Sequence, residues 1–386
     1  MLKKYTTKKV LQYLEGIEKG CLSVMTPDGK VYEFSGREPG GNVGLHLHDW
    51  SVFSRIIKKG DIGLAETYRE GLWSTSNLTG LFLLAMTNRK KIGGLTFGSR
   101  LFSVKERLSY FLRLNTHKGS KKNIHAHYDL GNEFYSLWLD PSMTYSSAIF
   151  HNDQETLQQG QLNKYQRIID NLETSSGEVL EVGCGWGGFA EHAMQQGNYS
   201  IKGITLSQQQ HEYAKQRLNK SANIVLEDYR DQKGKFDHIV SIEMFEAVGE
   251  RYWQTYFEKI SSLMKDKGKA VIQTITINEE SFPSYRRGSD FIRSYIFPGG
   301  MLPCPTVFKQ QAKKASLVTK NEYFFGQDYA TTLEGWLDNF ENKTEQVKRL
   351  GFDEGFIRLW RFYLAACIAG FKIEHTNVMQ VELVHE

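Results

Sequence analysis

Cysteine is scarce and scattered in this chain. Cys21, Cys184, Cys304 and Cys367 are the only four in 386 residues, and no two form a C-x-x-C pair. That spacing argues against a zinc site and a disulfide framework, and fits a reducing cytosol. Long apolar runs are also missing. LTGLFLLAM is among the longest and falls far short of a bilayer span. The opening MLKKYTTKKVLQYLEG is charged and lacks an apolar core, so it does not read as a signal peptide. Membrane contact, if made, is expected to be peripheral. Neither an internal repeat nor a low-complexity segment is present. The net charge of +4 says little about partners.

What is there excludes a disordered chain: 40% hydrophobic and 13% aromatic residues are enough for a real core. The length predicts two domains. Charge is unevenly placed. Between Arg89 and Lys122 stand ten basic residues against one acid, Glu106. Such a run is either a solvated linker or a surface for an anionic partner, membrane or nucleic acid.

Residues 1–120 read as a small mixed α/β lobe. KKVLQYLEGI, WSVFSRIIKKG and TGLFLLAM have helical character, and CLSVMTPDGKVYEF reads as a hairpin around P-D-G. A polar Gly/Ser/Lys-rich stretch around 116–122 marks the boundary. Residues 121–386 then alternate strand and helix, which predicts a mostly parallel sheet with helices on both faces. NVMQVELV alternates as a final antiparallel strand.

Glycines in LEVGCGWGGF, at Gly183, Gly185 and Gly188, satisfy G-x-G-x-x-G directly after the first strand of that sheet. There the backbone approaches a ligand at a helix N-terminus. A dinucleotide would require an acid about 20 residues on, at the end of the second strand, to hold its ribose. That strand ends GITLS, without a carboxylate. An acid stands instead inside the first strand, at Glu181. This suits a cationic ligand with a free amino group, and S-adenosylmethionine carries one and no phosphate.

HYDLGNEFYSLWLDPSMTYSSAIF (127–150), VLEVGCGWGGFAEHA, GITLSQQQHEYA, DYRD, VSIEMFEAVG, DFIRSYIFPGGMLP and DYATTLEGW follow one another in order. In this the chain resembles the cyclopropane-fatty-acyl-phospholipid synthases and the related mycolic acid methyltransferases. IIKKGDIGLAETYREGLW resembles the accessory N-terminal domain of the full-length synthases. The resemblance implies a Rossmann-like class I methyltransferase fold. It implies that S-adenosylmethionine is held by Tyr145 and Ser146, Gly183 and Gly185, Thr205 and Gln210, and Tyr229 and Arg230, beside Glu181. It also implies a bicarbonate base held by a Cys, a Glu, a His, an Ile backbone group and a Tyr. Glu246, Ile275 and Tyr329 match that pattern. The Cys position is Ser147 and the His position is Gln273, which still offer a hydroxyl and an amide but cannot relay a proton near neutral pH as His can. Cys367, where the synthases carry a cysteine proposed as catalytic, is flanked by Leu, Ala and Ile at helical spacing and reads as a core thiol.

Methylating an alkene leaves a carbocation, and closing a ring requires a base at the delivered methyl carbon. Aromatic faces would stabilise the cation, and Tyr145, Phe245, Tyr295, Phe297 and Tyr329 are candidates. Arg286, Arg287 and Arg293 lie in an insertion expected to roof an acyl slot and meet lipid phosphates. With the basic run they point to an anionic membrane and away from nucleic acid. The expected activity is methylene transfer from S-adenosylmethionine to a cis-unsaturated acyl chain of membrane phospholipid. The expected setting is the cytoplasm, at the inner face of the membrane, and by analogy a homodimer. Ser147 and Gln273 keep open a non-cyclising product, methyl-branched or methylene. A small-amine N-methyltransferase and a non-catalytic lipid binder are the remaining alternatives.

Overall fold

The structure is a computed structural model that describes residues 2–92, 115–117, 119–120 and 130–386. Most of the basic run therefore lies outside the described residues, as do part of the 116–122 boundary and the first residues of HYDLGNEF. Two compact units are formed. The first comprises Met1–Leu112, Ser284–Ile296 and Phe340–His375, and the second Arg113–Pro283, Phe297–Asn339 and Thr376–Glu386.

In the first unit, β1 (Lys19–Met25) pairs antiparallel with β2 (Val31–Ser35), the hairpin expected at P-D-G, and parallel with β3 (Glu38–Leu47), which meets the short β4 (Trp73–Ser74). Helices Leu2–Leu14, Ser51–Lys59 and Leu78–Thr87 arise where the sequence had helical character, and Asp61–Arg69 is a further helix that the sequence reading did not assign. The helix Glu354–Lys372 belongs to the same unit. Its Phe362 packs against Tyr68, Phe82 and Phe291, with ring centroids 4.7–6.0 Å apart. Cys367 sits half-buried on this helix, and burial pushes its thiol up to about 12.

The second unit is the expected α/β sheet. Its strands are β5 (Ser176–Val182), β6 (Asn198–Thr205), β7 (Asn223–Leu226), β8 (Phe236–Ile242), β9 (Met264–Ile277), β10 (Leu317–Phe324) and β11 (Thr376–His385). Among the described residues they lie in the order β10-β11-β9-β8-β5-β6-β7. β5 to β9 run parallel, while β11 is antiparallel to β9 and β10. The first strand, β5, lies between β6 and β8, so the chain order reverses there. In open α/β sheets, that is where a crevice opens beyond the strands' carboxyl ends.

The helix Leu157–Leu172 shows how sequence pattern becomes packing. Thr156 and Gln159 close a capping box at its start. Tyr165, Ile168, Ile169 and Leu172 recur at helical spacing and bury against Val179, Phe189, Ile201 and Val240. Each such side chain stabilises the unit by ~1.5–3 kcal/mol. The same face carries Lys164, which is fully buried. No helix among the described residues is long and apolar enough to cross a membrane.

Candidate active site

A cavity opens at the carboxyl ends of β5, β6 and β8. Gly183 and Gly185 have φ of +85° and +51°, and Gly187, at φ +84°, starts the helix Gly188–Gln196. Only glycine takes such angles without strain. A Cβ on Gly188 would lie 2.8 Å from Tyr165 Oη, so this helix start and the Leu157–Leu172 helix approach as closely as glycine permits. Tyr145, Ser146, Glu181, Gly183, Gly185, Thr205, Gln210 and Tyr229 all line the cavity. Thr205 Oγ1 donates to Gln210 Oε1 at 2.8 Å, which joins the end of β6 to the next helix.

Arg230 departs from expectation. Its guanidinium turns to Asp228 at 2.6 Å, the Asn115 carbonyl at 2.9 Å and Ser120 Oγ at 3.2 Å. It therefore braces the segment that presents Tyr229 and does not line the cavity.

Glu181 is 3% exposed, and among the described residues its Oε2 has no hydrogen-bond partner. Burial pushes its carboxyl up to about 8, against the pull of Lys164 and Arg217. An unpaired buried carboxyl on a cavity wall fits a ligand ammonium. Tyr229 Oη is likewise buried without a partner. The glycine loop, the free carboxyl and the lack of an acid at the end of β6 together fit S-adenosylmethionine.

The chain Tyr145–Phe150 is strapped in place from two helices. Gln161 Nε2 donates to the Ser146 carbonyl at 2.9 Å, and Lys164 Nζ to Ser146 Oγ at 2.6 Å. From the helix Gly326–Asn342, Thr332 Oγ1 accepts from Ala148 N at 3.1 Å. Burial pushes Lys164 down to about 7, against the attraction of Glu243, Asp140 and Glu181.

Three of the residues that the resemblance assigns to the base, Ser147, Gln273 and Tyr329, converge on Glu243, which the sequence reading passed over. Glu243 lies just past β8 on the cavity wall. Its Oε1 accepts from Ser147 N at 2.9 Å and Gln273 Nε2 at 2.7 Å, and its Oε2 from Tyr329 Oη at 2.7 Å. Ser147 thus contributes its backbone N–H, while its hydroxyl bonds the Ala148 carbonyl at 2.9 Å. Gln273 is turned toward Glu243 by its neighbour on β11: its Oε1 accepts from Gln380 Nε2 at 3.0 Å.

Glu246 binds the backbone N–H of Ile275, and does not line the cavity. Burial and the nearby Glu243 push its carboxyl up to about 8. An added bicarbonate would have to lie against the Glu243 carboxylate and compete for its donors, so the residues present do not fit it. Cys367, in the first unit, is not among the lining residues.

Aromatic rings back this wall. Tyr145 lies 5.2–5.5 Å, between centroids, from Tyr135, Trp138 and Trp336, and 6.4 Å from Phe297. Tyr329 meets Trp336 edge-on at 6.0 Å. Phe245, by contrast, is core, packed on Trp253, Tyr256, Phe257 and Phe308. Tyr295 is exposed and bonds Glu66 in the first unit. Arg293 is 6% exposed and bonds Asp290, Tyr285 O and Gly288 O, so its guanidinium does not face outward to a phosphate.

Among the unforeseen lining residues, Glu243 and Glu227 share a legible signal: each is an acid near the carboxyl end of a predicted parallel strand, and stands immediately beyond the strand that forms. Lys164, which bonds Ser146 without lining the cavity, had a weaker one, a cation on the apolar face of a helix.

A parallel sheet with this crossover, a glycine loop after its first strand and a free acid beside it define an S-adenosylmethionine-dependent methyltransferase. The sequence profile of the mycolic acid cyclopropane synthetase family matches residues 115–381. Tuberculostearic acid methyltransferase UfaA1 of Mycobacterium tuberculosis (strain ATCC 25618 / H37Rv) is 34% identical over 357 residues, 89% of this chain and 83% of the relative. Cyclopropane-fatty-acyl-phospholipid synthase of Escherichia coli (strain K12) is 31% identical over 347 residues, 87% and 86%. Among solved structures, mycolic acid cyclopropane synthase CmaA1, complexed with SAH and CTAB, superposes with a TM-score of 0.64 at 28% identity, covering 68% of this chain and 97% of that one. Coclaurine N-methyltransferase, at 18% identity and TM-score 0.65, shares the fold. The chain belongs to the mycolic acid cyclopropane synthetase family.

Proposed function

We propose that this enzyme transfers a methylene group from S-adenosylmethionine to the cis double bond of an unsaturated acyl chain in membrane phospholipid, forming a cyclopropane fatty acid. The observation that carries the reading is the Tyr145 wall. The glycine loop, Glu181 and Tyr145 line one cavity, and the Tyr145 ring is backed by Tyr135, Trp138 and Trp336.

Glu181 would hold the ammonium of S-adenosylmethionine, while Gly183, Gly185, Thr205, Gln210 and Tyr229 would hold the remainder. Bound there, the ligand supplies an electrophilic methyl group to the alkene. The π faces around Tyr145 favour positive charge on the neighbouring acyl carbon, and the buried setting keeps water from capturing it. The phospholipid form of the substrate is supported by the likeness to the Escherichia coli synthase. Contact with the inner face of an anionic membrane is supported by the basic run in the sequence.

A second reading has its own observation. The cysteine and histidine of the family pattern are replaced by Ser147 and Gln273, both at Glu243, and the relative at 34% identity is named a methyltransferase and not a cyclopropane synthase. A non-cyclising product follows if the cation rearranges first: loss of a proton from the methyl carbon then leaves a methylene group, and loss of a proton from the chain leaves a methyl-branched alkene.

The test is to incubate the protein with S-adenosylmethionine and vesicles of a cis-monounsaturated anionic phospholipid, and to examine the released acyl chains by proton NMR. Strongly shielded ring protons establish cyclopropanation. Vinylidene or branched-methyl signals move the enzyme to the non-cyclising branch. Absence of any methylated lipid, with cofactor binding intact, overturns the lipid reading.

A further inference from the structure

We propose that the carboxylate of Glu243 occupies the anion position of this site, and is itself the base that takes the proton from the transferred methyl group, so that no bicarbonate is needed. The inference rests on the lipid methyl transfer proposed above.

Three observations carry it. First, Ser147 N, Gln273 Nε2 and Tyr329 Oη, which come from three separate parts of the chain, all donate to this one carboxylate at 2.7–2.9 Å. Such a donor set binds one anion, and the chain supplies that anion covalently. Second, Glu243 is held in an uncommon conformation. Its φ is +51°, and its backbone N–H is tied to the Gln273 carbonyl at 2.8 Å. A left-handed non-glycine residue persists only where its surroundings impose it, and such residues cluster at functional sites. Third, Glu243 lines the same cavity as Glu181, Gly183 and Tyr145, whereas Glu246 does not. The charged groups facing Glu243 are Lys164, which attracts it, and Glu246, whose own carboxyl it pushes up. Burial lifts Glu243 above the usual carboxylate range despite its donors, which makes it a better proton acceptor than a solvated acid.

The step balances without a co-reactant. A C–H bond of the methyl carbon, already joined to the acyl chain, breaks. Its electron pair closes the third side of the ring onto the cationic carbon, and the proton passes to a Glu243 oxygen, from which it returns to solvent between turnovers. If a hydride first shifts to the cationic carbon from the carbon that received the methyl, the same base takes a proton from the same methyl carbon and leaves a methylene group. The assignment therefore holds for both products.

Two measurements test it. In the first, carbonate-stripped protein is titrated with [13C]bicarbonate and followed by 13C NMR line width. Wild type is expected to show no saturable binding. Glu243→Gly, whose backbone tolerates φ +51°, is expected to gain a site in the vacated donor set. Saturable binding to wild type, or none to Glu243→Gly, overturns the proposal. This arm needs no lipid turnover, so it decides the anion position even if the lipid reading fails.

In the second, methyl transfer to the vesicles is measured in stripped buffer. Wild type should keep its rate, while Glu243→Gln should lose about 10²–10⁴-fold in kcat, the range of a general base, with S-adenosylhomocysteine affinity unchanged. Glu243→Gly should be slow until bicarbonate is added. A wild-type rate that depends on added bicarbonate overturns the proposal, as does Glu243→Gln retaining kcat within about an order of magnitude, a change worth ~1.4 kcal/mol of barrier. Unchanged cofactor affinity confirms that each variant is folded.

Discussion

Tyr329 Oη, on the helix Gly326–Asn342, donates to Glu243 Oε2 at 2.7 Å. The bond favours the ionised carboxyl and opposes the effect of burial, which raises it. Tyr329→Phe leaves the ring against Trp336 and removes only the hydroxyl. A hydrogen bond to a charged group is worth ~1.5–3 kcal/mol, so the carboxyl should rise by about one to two pH units. Glu243 must be ionised to accept a proton, so the acid limb of the kcat–pH profile should move upward by that amount, with cofactor affinity unchanged. A hydroxyl with a purely structural role would lower stability and leave the limb where it is. The pH profile of the purified variant separates the two.

Glu181 makes cofactor binding pH-dependent. Its carboxyl is raised from 4.5 to about 8, chiefly by burial. Between those values the folded, ligand-free protein holds a proton that the unfolded chain has lost. This group's contribution to stability therefore falls as pH rises through that window. A ligand ammonium favours the ionised form, so below pH 8 binding releases the proton. Affinity should rise with pH by at most about tenfold per unit and level off above pH 8. Lys164, pushed down to about 7, loses its charge over the same range and acts in the same direction. Calorimetric titration with S-adenosylmethionine from pH 6 to 9 should show this slope, and Glu181→Gln should flatten it.

Most of the parallel sheet was legible because its signals are local. VLEVG, SIKGITLS and FDHIVSIEM each carry an apolar run bounded by turn residues, and each became a strand. The glycine loop was equally plain. The Glu243 hub was not, because its donors Ser147, Gln273 and Tyr329 are far apart in sequence and meet only when β8, β9 and the Gly326–Asn342 helix come together. Arg230 and Arg293 were misread for one reason. An arginine in a sequence shows its charge but not its partner, and both are held by neighbouring aspartates and backbone carbonyls. Residues 284–296 and 340–375 cluster with the N-terminal lobe, a long-range association that no local pattern encodes.

Gly183 and Gly185 both have positive φ but differ in what surrounds them. A Cβ on Gly183 would lie 2.9 Å from Met244 Cγ, whereas on Gly185 nothing lies within 4 Å. Alanine at either position meets the left-handed penalty of ~1–2 kcal/mol. At Gly183 it must also displace Met244, next to Glu243. Gly183→Ala should therefore lower the thermal midpoint and the cofactor affinity more than Gly185→Ala. Equal effects in calorimetry would mean that backbone angle alone, and not the approach of Met244, sets the need for glycine.

Arg293 separates charge that binds lipid from charge that builds the fold. Its guanidinium donates to Asp290 at 2.7 Å, Gly288 O at 2.8 Å and Tyr285 O at 2.9 Å, and stacks 4.1 Å from the centre of the Tyr285 ring. Arg293→Met should destabilise the protein by ~1.5–3 kcal/mol, because it strands an acid and two carbonyls that a charged donor had satisfied. Binding to anionic vesicles, measured by co-sedimentation below the melting range, should not change. Arg286 and Arg287 are exposed on the short helix Phe282–Arg287 and should behave oppositely. Replacing both by alanine should leave stability within about 0.5 kcal/mol and weaken vesicle binding in low salt, where an exposed charge acts most strongly. Loss of vesicle binding in Arg293→Met alone would mean that this guanidinium leaves Asp290 to meet a headgroup, and that the insertion recognises lipid from its interior.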